Sequence, residues 1–308
     1  MKNYFNFNLT GKKFLPVWLL FLFLYLIPYI TIITRTSHIQ VGKQISLIFP
    51  MMILLIVVAF VLNFFMTKLA IENVSFKDKS VVFTGTFGQY IKIVLLGFFL
   101  SIITLGIYGA WFIRDIYRFF IDNSSYDSNA LKFKGKGGKL FVIMLLTIVV
   151  PMTLLALVLV MFRLNHAGVD STIEIIQQLV ITFIMIPYLY FVYKWMFNAD
   201  YKDFHISWKT NFWSSCGKII VELFLSVVTL GIYSPLATLR LYKYFADRTL
   251  AKSEVKTLTF GYDIDQLNDF LFLWGQLLLT MITLGIYFPW AFSKAGKRVL
   301  SKTYLVEE

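Results

Sequence analysis

The sequence has few of the residues that build the usual sites of soluble enzymes. It contains one cysteine, Cys216, and three histidines in 308 residues. A single cysteine excludes an internal disulfide and any Cys-x-x-Cys pair, and the scattered histidines lack the spacing of metal ligands. No phosphate-binding loop of the Gly-x-x-x-x-Gly-Lys-Ser/Thr type, paired carboxylates or Ser/His/Asp set stands out. We therefore expect no enzymatic activity, no cofactor and no bound metal.

Charge is also scarce, and this scarcity indicates where the chain folds. Charged residues make up 15% of the sequence and hydrophobic residues 58%, with a mean hydropathy of +0.72. Soluble domains are usually about 45–50% apolar and about 25% charged. A water-soluble fold of this size has no way to hide so much apolar surface. The composition predicts an all-α integral membrane protein.

The charges that are present are mostly basic, and the formal net charge is +12. A basic patch can bind nucleic acid, but no recognition module or concentrated Lys/Arg tail is present. Basic loops beside anionic lipid explain the excess better. We expect membrane lipids, anionic ones in particular, as partners, and no nucleic acid. Protein partners and the oligomeric state stay open.

Seven apolar segments approach the roughly 20 residues that a spanning helix needs. They are Phe14–Ile33, Ile45–Met66, Tyr90–Phe112, Leu140–Phe162, Leu179–Phe197, Cys216–Leu236 and Leu267–Phe292. No small-residue cleavage site follows the first one, so it reads as a retained helix rather than a signal peptide. The pattern predicts a polytopic helical bundle.

The pentapeptide Thr-Leu-Gly-Ile-Tyr occurs three times, and its flanks match as well. Each copy follows an apolar stretch and precedes a basic amphipathic one, so we predict three internal helix–Gly-break–helix repeats. The units lie near residues 83–122, 208–249 and 260–304. The motif residues singled out are Thr104, Gly106, Tyr108, Thr229, Gly231, Tyr233, Thr283, Gly285 and Tyr287.

These units resemble the YjgN-like family of bacterial inner membrane proteins, whose function is unknown. The resemblance rests on the motif copies, on the Pro-Trp-Ala stretch ending at Ala291, and on the starts Phe83-Thr-Gly85 and Phe133-Lys-Gly135. The second unit departs from the pattern, with Trp208-Lys-Thr210 at its start. The likeness covers roughly residues 73–308 and implies a multi-pass bacterial inner membrane protein. Residues 1–70 are then an added N-terminal helix pair.

The distribution of Lys and Arg separates two topologies, because cytoplasmic loops carry the excess of positive charge. If all seven segments cross, 13 of the 29 basic residues lie inside and 16 outside. If each motif unit dips in and returns, four segments cross and only Arg35, Lys43 and Arg163 lie outside. The count then becomes 26 against 3, with both termini cytoplasmic. We favour the dipping arrangement and keep seven crossings as the alternative.

Two polar features of the repeats are candidate sites. Glu222 is a carboxylate well inside an apolar segment, and an ionisable group there is a functional hypothesis by default. Its equivalents, seven residues before each motif Thr, are Gly97 and Gln276. A pairing of Glu222 with Lys218 at the interface is the competing structural explanation. Basic residues at matching positions form a predicted rim for anionic lipid or solute, or else a simple topology signal: Arg114, Arg118, Arg240, Lys243, Lys294 and Lys297.

Two functions fit these features. Internal repeats, broken helices and an embedded carboxylate are typical of a transporter or channel-like protein for a small solute or ion. Basic amphipathic stretches and many aromatics also suit a lipid-binding or scaffolding membrane protein that moves nothing.

Overall fold

The computed structural model describes residues 1–36, 45–165 and 171–307. Over this part of the chain, helical hairpins alternate with short β-strands. The helices are α1 (Gly11–Phe21), α2 (Ile27–Thr36), α3 (Ile45–Ile71), α4 (Phe87–Ile103), α5 (Gly109–Asp122), α6 (Gly137–Met144), α7 (Val150–Asn165), α8 (Ser171–Met196), α9 (Phe212–Val228), α10 (Ser234–Ala246), α11 (Gln266–Ile282) and α12 (Phe288–Leu300). Single π-helical turns, Leu22–Leu26 and Leu145–Val149, join α1 to α2 and α6 to α7. We number five hairpins: α1–α3, α4–α5, α6–α8, α9–α10 and α11–α12.

The prediction of an all-α protein is wrong, because one antiparallel sheet links all the hairpins. Its strands are β1 (Lys2–Phe7), β2 (Val74–Phe76), β3 (Lys79–Ser80), β4 (Val82–Phe83), β5 (Ser124–Tyr126), β6 (Asn129–Phe133), β7 (Ala199–Tyr201), β8 (Phe204–Trp208), β9 (Thr249–Lys252), β10 (Thr257–Tyr262) and β11 (Thr303–Glu307). Each has two to six residues; β1 precedes the first apolar segment, β11 follows the last one, and the others occupy the polar breaks between segments. Strands this short show too little alternation to stand out from loops.

The sheet almost closes into a ring. The strand order is β3-β2-β1-β11-β10-β9-β8-β7-β6-β5-β4, so its two ends, β3 and β4, are neighbours in sequence, separated only by Val81. Side chains bridge the gap between them. Lys79 Nζ lies 2.5 Å from Asp127 Oδ1, and the Tyr126 hydroxyl donates to the carbonyl of Phe76 at 2.8 Å. Closure leaves little strand edge open to pairing with other chains.

Both chain ends enter this ring side by side. Strand β1 pairs with β11 through the register Tyr4↔Tyr304 and with β2 through Phe5↔Phe76. The predicted boundary near residue 70 therefore separates segments that share one sheet. All five hairpins begin and end at that sheet.

Tight turns join consecutive strands. Lys77-Asp78 and Asp127-Ser128 are two-residue loops with φ of 46° and 62°, and of 49° and 62°. Positive φ at both central residues defines the type I′ turn that matches the twist of antiparallel strands. A third two-residue loop, Lys202-Asp203, joins Tyr201 to Phe204.

The same local structure opens every hairpin. An aromatic side chain at the end of a strand is buried, with 0–8% exposure, at Phe7, Phe83, Phe133, Trp208 and Tyr262. Three residues later stands the helix N-cap, which is Thr10, Thr86, Lys136, Asn211 or Asp265. In four of these caps the side chain accepts a backbone N–H of the first turn, which satisfies a donor that the helix leaves unpaired. Trp208 thus holds the buried aromatic place despite its departure from the Phe-x-Gly pattern.

A backbone hydrogen bond closes the base of each hairpin at 2.8–2.9 Å. The N–H of the residue after the buried aromatic donates to the carbonyl of the residue that follows the hairpin. The pairs are Asn8 to Asn73, Thr84 to Asn123, Lys134 to Asn198, Lys209 to Arg248 and Asp263 to Lys302. The hairpins with and without the motif are therefore anchored to the sheet in one way.

The hairpins differ in length. Four helical stretches in hairpins 1 and 3 are long and apolar enough to cross a membrane: Gly11–Thr34, Pro50–Ile71, Gly137–Phe162 and Ile173–Met196. At most 17% of each is buried inside the protein, so their apolar sides are available to lipid. Hairpins 2, 4 and 5 have first arms of 17 residues and second arms of 13 or 14. They bend at the motif and return to the sheet, as the dipping arrangement requires.

Candidate intramembrane polar site

The Thr-Leu-Gly-Ile-Tyr motif has the same backbone geometry in all three copies. Its Thr is the C-cap of the first arm, with φ near −90° and ψ of 13–15°. The Leu has φ of 50° each time and the Gly has φ of 86–90°. The Gly N–H donates to the carbonyl five residues earlier, on Ser101, Ser226 or Thr280, at 2.7–2.8 Å. This is a Schellman ending in which leucine holds the left-handed position that glycine usually takes.

The motif Thr allows the helix of the second arm to begin directly after the motif. Its hydroxyl accepts the N–H of the motif Tyr, at 2.9 Å in hairpin 2 and 3.0 Å in hairpins 4 and 5. The same hydroxyl donates to a carbonyl one turn back. A side chain thus replaces the carbonyl that the new helix lacks.

Glu222 lies inside hairpin 4 and is 1% exposed. Its Oε1 lies 2.5 Å from Lys218 Nζ, and its Oε2 accepts the hydroxyl of Tyr233 at 2.8 Å. Arg240 Nη1 donates to that Tyr233 oxygen at 2.7 Å, and Nη2 donates to Gln266 Oε1 at 2.6 Å. We call this chain of Lys218, Glu222, Tyr233, Arg240 and Gln266 the polar bridge. It links the interior of hairpin 4 to the start of hairpin 5.

Hairpin 5 carries a neutral version of the same arrangement. Gln276 Oε1 accepts the hydroxyl of Tyr287 at 3.1 Å, and Lys294 Nζ donates to that Tyr oxygen at 2.8 Å. Glu222 and Gln276 are therefore each bonded to the motif Tyr of their own hairpin. The equivalence that the sequence spacing indicated corresponds to equivalent contacts.

Hairpin 2 has no side chain at the corresponding place, Gly97. A Cβ there would lie 2.0 Å from the ring of Phe112, so glycine lets this buried ring pack against α4. Asp115 stands where hairpins 4 and 5 have Arg240 and Lys294, and it pairs with Arg114 at 2.7 Å. This hairpin has aromatic packing in place of the polar contact.

The predicted basic rim is mostly engaged in contacts within the protein. Arg118 lies 3.9 Å from Asp122, and Lys243 lies 2.9 Å from Asp247 and donates to the carbonyl of Tyr262 at 2.8 Å. Arg114, Arg240 and Lys294 make the bonds given above. Most of these cations thus bond to residues of their own hairpin or of the next one.

Sequence reasoning missed a second buried carboxylate, Asp269, in the first turn of α11. It is fully buried, and it accepts Arg298 Nε at 2.7 Å, Lys302 Nζ at 2.6 and 2.7 Å, and the Asp265 N–H at 2.9 Å. Burial alone would raise the pKa of Asp269, but the hydrogen bonds from Lys302, Asp265 and Arg298 hold it below its ordinary value. The sequence features that could have revealed this cluster are an Asp inside the apolar segment Leu267–Phe292 and two basic residues after it, Arg298 and Lys302.

A cavity of about 540 Å³ lies between hairpins 1 and 2, and none of the polar bridge lines it. Its lining is mostly apolar, from Ile56, Phe60, Ile113 and Ile116, with Asn63 as a polar member. Among the described residues no charged side chain lines this space, so it lacks the groups that would bind an ion.

Metal ligands are not clustered in residues 1–36, 45–165 and 171–307, where no three His, Cys, Asp or Glu side chains are grouped for a metal. His205 pairs with Asp200 at 2.7 Å, and Lys134 lies 2.9 Å from the other oxygen of that carboxylate. The pKa of Asp200 is lowered, since these hydrogen bonds outweigh the effect of burial. His38 and His166 lie outside the described residues.

Comparison with known proteins confirms the YjgN-like resemblance over the middle of the chain. Residues 78–216 match a family of bacterial proteins of unknown function, DUF898. The inner membrane protein YjgN of Salmonella typhimurium strain LT2 is 29% identical over 144 residues, which are 46% of this chain and 35% of that relative. The chain thus spans about a third of the relative's length, and only the first motif copy falls within the family match. No solved structure matches the chain.

Proposed function

Taking the chain as a YjgN-like inner membrane protein, we propose that it is a transporter or channel-like protein for a small solute or ion. The observation that carries the proposal is Glu222, a carboxylate buried in an apolar hairpin and bonded to the motif Tyr233. A carboxylate away from water is expensive to keep, and in membrane proteins such groups mark ion and proton pathways.

The polar bridge has the chemistry that such a role needs. The Tyr233 hydroxyl donates to Glu222 and accepts from Arg240, so it connects the buried carboxylate to a permanent positive charge. Lys218 and Arg240 place two positive charges near the single negative charge of Glu222, so loss of that negative charge would weaken the contacts that hold the hairpin arms together. The bridge ends on Gln266 of the next hairpin, which couples that change to a second element.

The three motif hairpins are, in this proposal, copies of one repeat in which only hairpin 4 has an ionisable side chain at the place of Glu222. Hairpin 5 keeps the bond to the motif Tyr through Gln276, which carries no ionisable proton, and hairpin 2 has Gly97 at that place. Many transporter folds are built from internal repeats and form their sites at broken helices near the interface between repeats. Glu222 is therefore expected to matter more for transport than Gln276.

We also propose that the sheet and both termini face the cytoplasm. All five hairpins begin and end at the sheet, so the basic residues of the strands and hairpin bases share one side. The division of 26 basic residues against 3 then follows the positive-inside rule.

Flux in proteoliposomes tests the transport proposal. Ion and proton fluxes would be compared for the native protein, for Glu222→Gln, and for Glu174→Gln as a matched control at an exposed carboxylate of α8. Glu222→Gln keeps the shape but binds no titratable proton, so flux and its pH dependence should both fall. Unchanged flux in that variant, or loss in both variants equally, would contradict the assignment of Glu222.

A second candidate is a lipid-binding or scaffolding protein without transport. The specific observation in its favour is the large exposed apolar surface of the four long helices, in each of which at most 17% of the residues of the most apolar stretch are buried. This candidate predicts no flux above that of empty liposomes and lipid retained through purification. If this candidate is right, Glu222→Gln changes the stability of the protein and has no effect on flux.

A further inference from the structure

The tips of hairpins 2, 4 and 5 have an unusual residue at an unusual backbone angle. Leu105, Leu230 and Leu284 are 94%, 93% and 86% exposed, and each has φ of 50°. The left-handed region is unfavourable for a non-glycine residue, and glycine or asparagine avoids most of that cost. A water-exposed turn gains nothing from leucine there.

In contact with hydrocarbon, leucine becomes more favourable at this position than glycine or asparagine. Moving a fully exposed leucine side chain from water to an apolar surrounding is favourable by at least as much as the left-handed backbone costs. That gain offsets the backbone cost at each tip. The neighbours of the three leucines are apolar and more than half exposed as well: Ile103, Ile107, Val228, Ile232, Ile282 and Ile286.

The backbone N–H groups of the tips are satisfied within the protein, as backbone at membrane depth requires. In hairpin 4 the five N–H groups from Leu230 to Ser234 all donate inside the turn, four to carbonyls and one to the Thr229 hydroxyl. Hairpins 2 and 5 repeat these bonds.

Tryptophans from adjacent hairpins cover two of the tip carbonyls. Trp274 Nε1 donates to the carbonyl of Ile232 at 2.7 Å, and Trp18 Nε1 donates to the carbonyl of Gly285 at 2.9 Å. Because Trp18 lies in a candidate membrane span, the tip of hairpin 5 contacts a helix at membrane depth.

We propose that these three tips insert into the bilayer and contact phospholipid acyl chains, so that the protein is wider on the sheet side of the bilayer than at its far face. The first arms are 17 residues, about 26 Å at 1.5 Å per residue, whereas the four long stretches have 22–26 residues. Two arms from each of five hairpins enter the sheet-side leaflet, and the four long stretches continue beyond the tips. The inference holds whether or not the protein transports a solute.

Spin labels at the tips measure this insertion in liposomes. Leu105→Cys, Leu230→Cys and Leu284→Cys, each in a Cys216→Ser background, would carry a nitroxide, with Ser128→Cys in a sheet turn as the control. Oxygen concentrates in hydrocarbon and a polar nickel chelate stays in water. All three tips should be accessible to oxygen and protected from nickel, and Ser128→Cys should show the reverse. Nickel accessibility at the tips equal to that of the control would overturn the proposal.

The direction in which the melting temperature changes gives a second test, and this test needs no label. Asparagine tolerates positive φ, so Leu230→Asn relieves backbone strain but places an amide in the hydrocarbon. The melting temperature in liposomes should fall for Leu230→Asn and hold for Leu230→Met. Lys77→Asn, at φ of 46° in an exposed sheet turn, should hold or rise. A rise for Leu230→Asn would show a tip in water and refute the inference.

Discussion

The buried contacts of Asp269 predict a large loss of stability on a small chemical change. Asp269→Asn keeps the size of the side chain but removes its charge, and leaves Arg298 and Lys302 without their anion. Removing one partner of a buried ion pair costs about 3–5 kcal/mol when the other cannot relax. Arg298 and Lys302 are 35% and 21% exposed, so both can turn partly to solvent. We therefore expect a loss of about 2–3 kcal/mol at neutral pH.

The same carboxylate predicts a pH dependence with a definite sign. The pKa of Asp269 is lower in the folded protein than its ordinary value of 3.8. A lowered folded pKa contributes stability above the unfolded value, and that stability is lost as pH falls through the folded value. The native protein should therefore lose this contribution below about pH 4. Asp269→Asn should lack this component and be less stable at neutral pH.

Thermal unfolding in detergent, followed by tryptophan fluorescence at several pH values, measures both effects. Asp263→Asn is the matched control, because that carboxylate is 43% exposed and pairs with the equally exposed Lys2. We expect its melting temperature to stay close to that of the native protein. If Asp269→Asn also melts with the native protein at neutral pH, the buried ion cluster does not secure hairpin 5 as described.

Two substitutions test the packing of the motif hairpins. Gly97→Ala should destabilise by about 1–3 kcal/mol, because its Cβ would meet the Phe112 ring, whereas Gly88→Ala, with no atom within 4 Å, should be neutral or stabilising; equal effects in chemical unfolding would contradict the packing. Thr229→Val should cost about 1–3 kcal/mol, since the Tyr233 N–H loses its acceptor, and Thr229→Ser should restore the native melting temperature. A Val variant as stable as the Ser variant would show that the hydroxyl is dispensable.

The parts of the fold that depend on apolar length and on exact repetition were accessible from the sequence. Four of the seven predicted segments coincide with the long apolar stretches, and the glycine of each motif copy lies in a bend. The leucine beside it, at positive φ, was not predicted, because leucine is rare in that region and nothing in the sequence marks it.

The sheet escaped prediction because its signals are short and partly tertiary. The two-residue loops at Lys77-Asp78 and Asp127-Ser128 lack the Asn-Gly or Asp-Gly pairs typical of type I′ turns. The pairing of β1 with β11 joins residues about 300 positions apart, which no local pattern reveals. Hairpins 1 and 3 share the buried aromatic and N-cap spacing of the others but lack the pentapeptide. Identical motifs in the sequence therefore indicate three repeat units, whereas five hairpins are anchored to the sheet.

Part of the candidate site could be predicted from the sequence. The spacing from the motif Thr identified Glu222 and Gln276 as equivalent, and the structure gives both the same bond to the motif Tyr. The part played by Tyr233 and Arg240 depends on how the second arm folds back on the first, so it needed the structure. Asp269 was overlooked because it stands near the start of its apolar segment, where a carboxylate resembles an ordinary helix-start residue.

Cysteine labelling from outside intact bacterial cells tests the central claim, that three hairpins return to the side they enter. In a Cys216→Ser background, Ser128→Cys and Ser301→Cys report on the sheet side, and Ser171→Cys reports on the start of α8. With a membrane-impermeant maleimide, we predict labelling at Ser171→Cys and none at the other two until the membrane is permeabilised. Labelling of Ser128→Cys and Ser301→Cys with a silent Ser171→Cys would establish seven crossings and contradict the account.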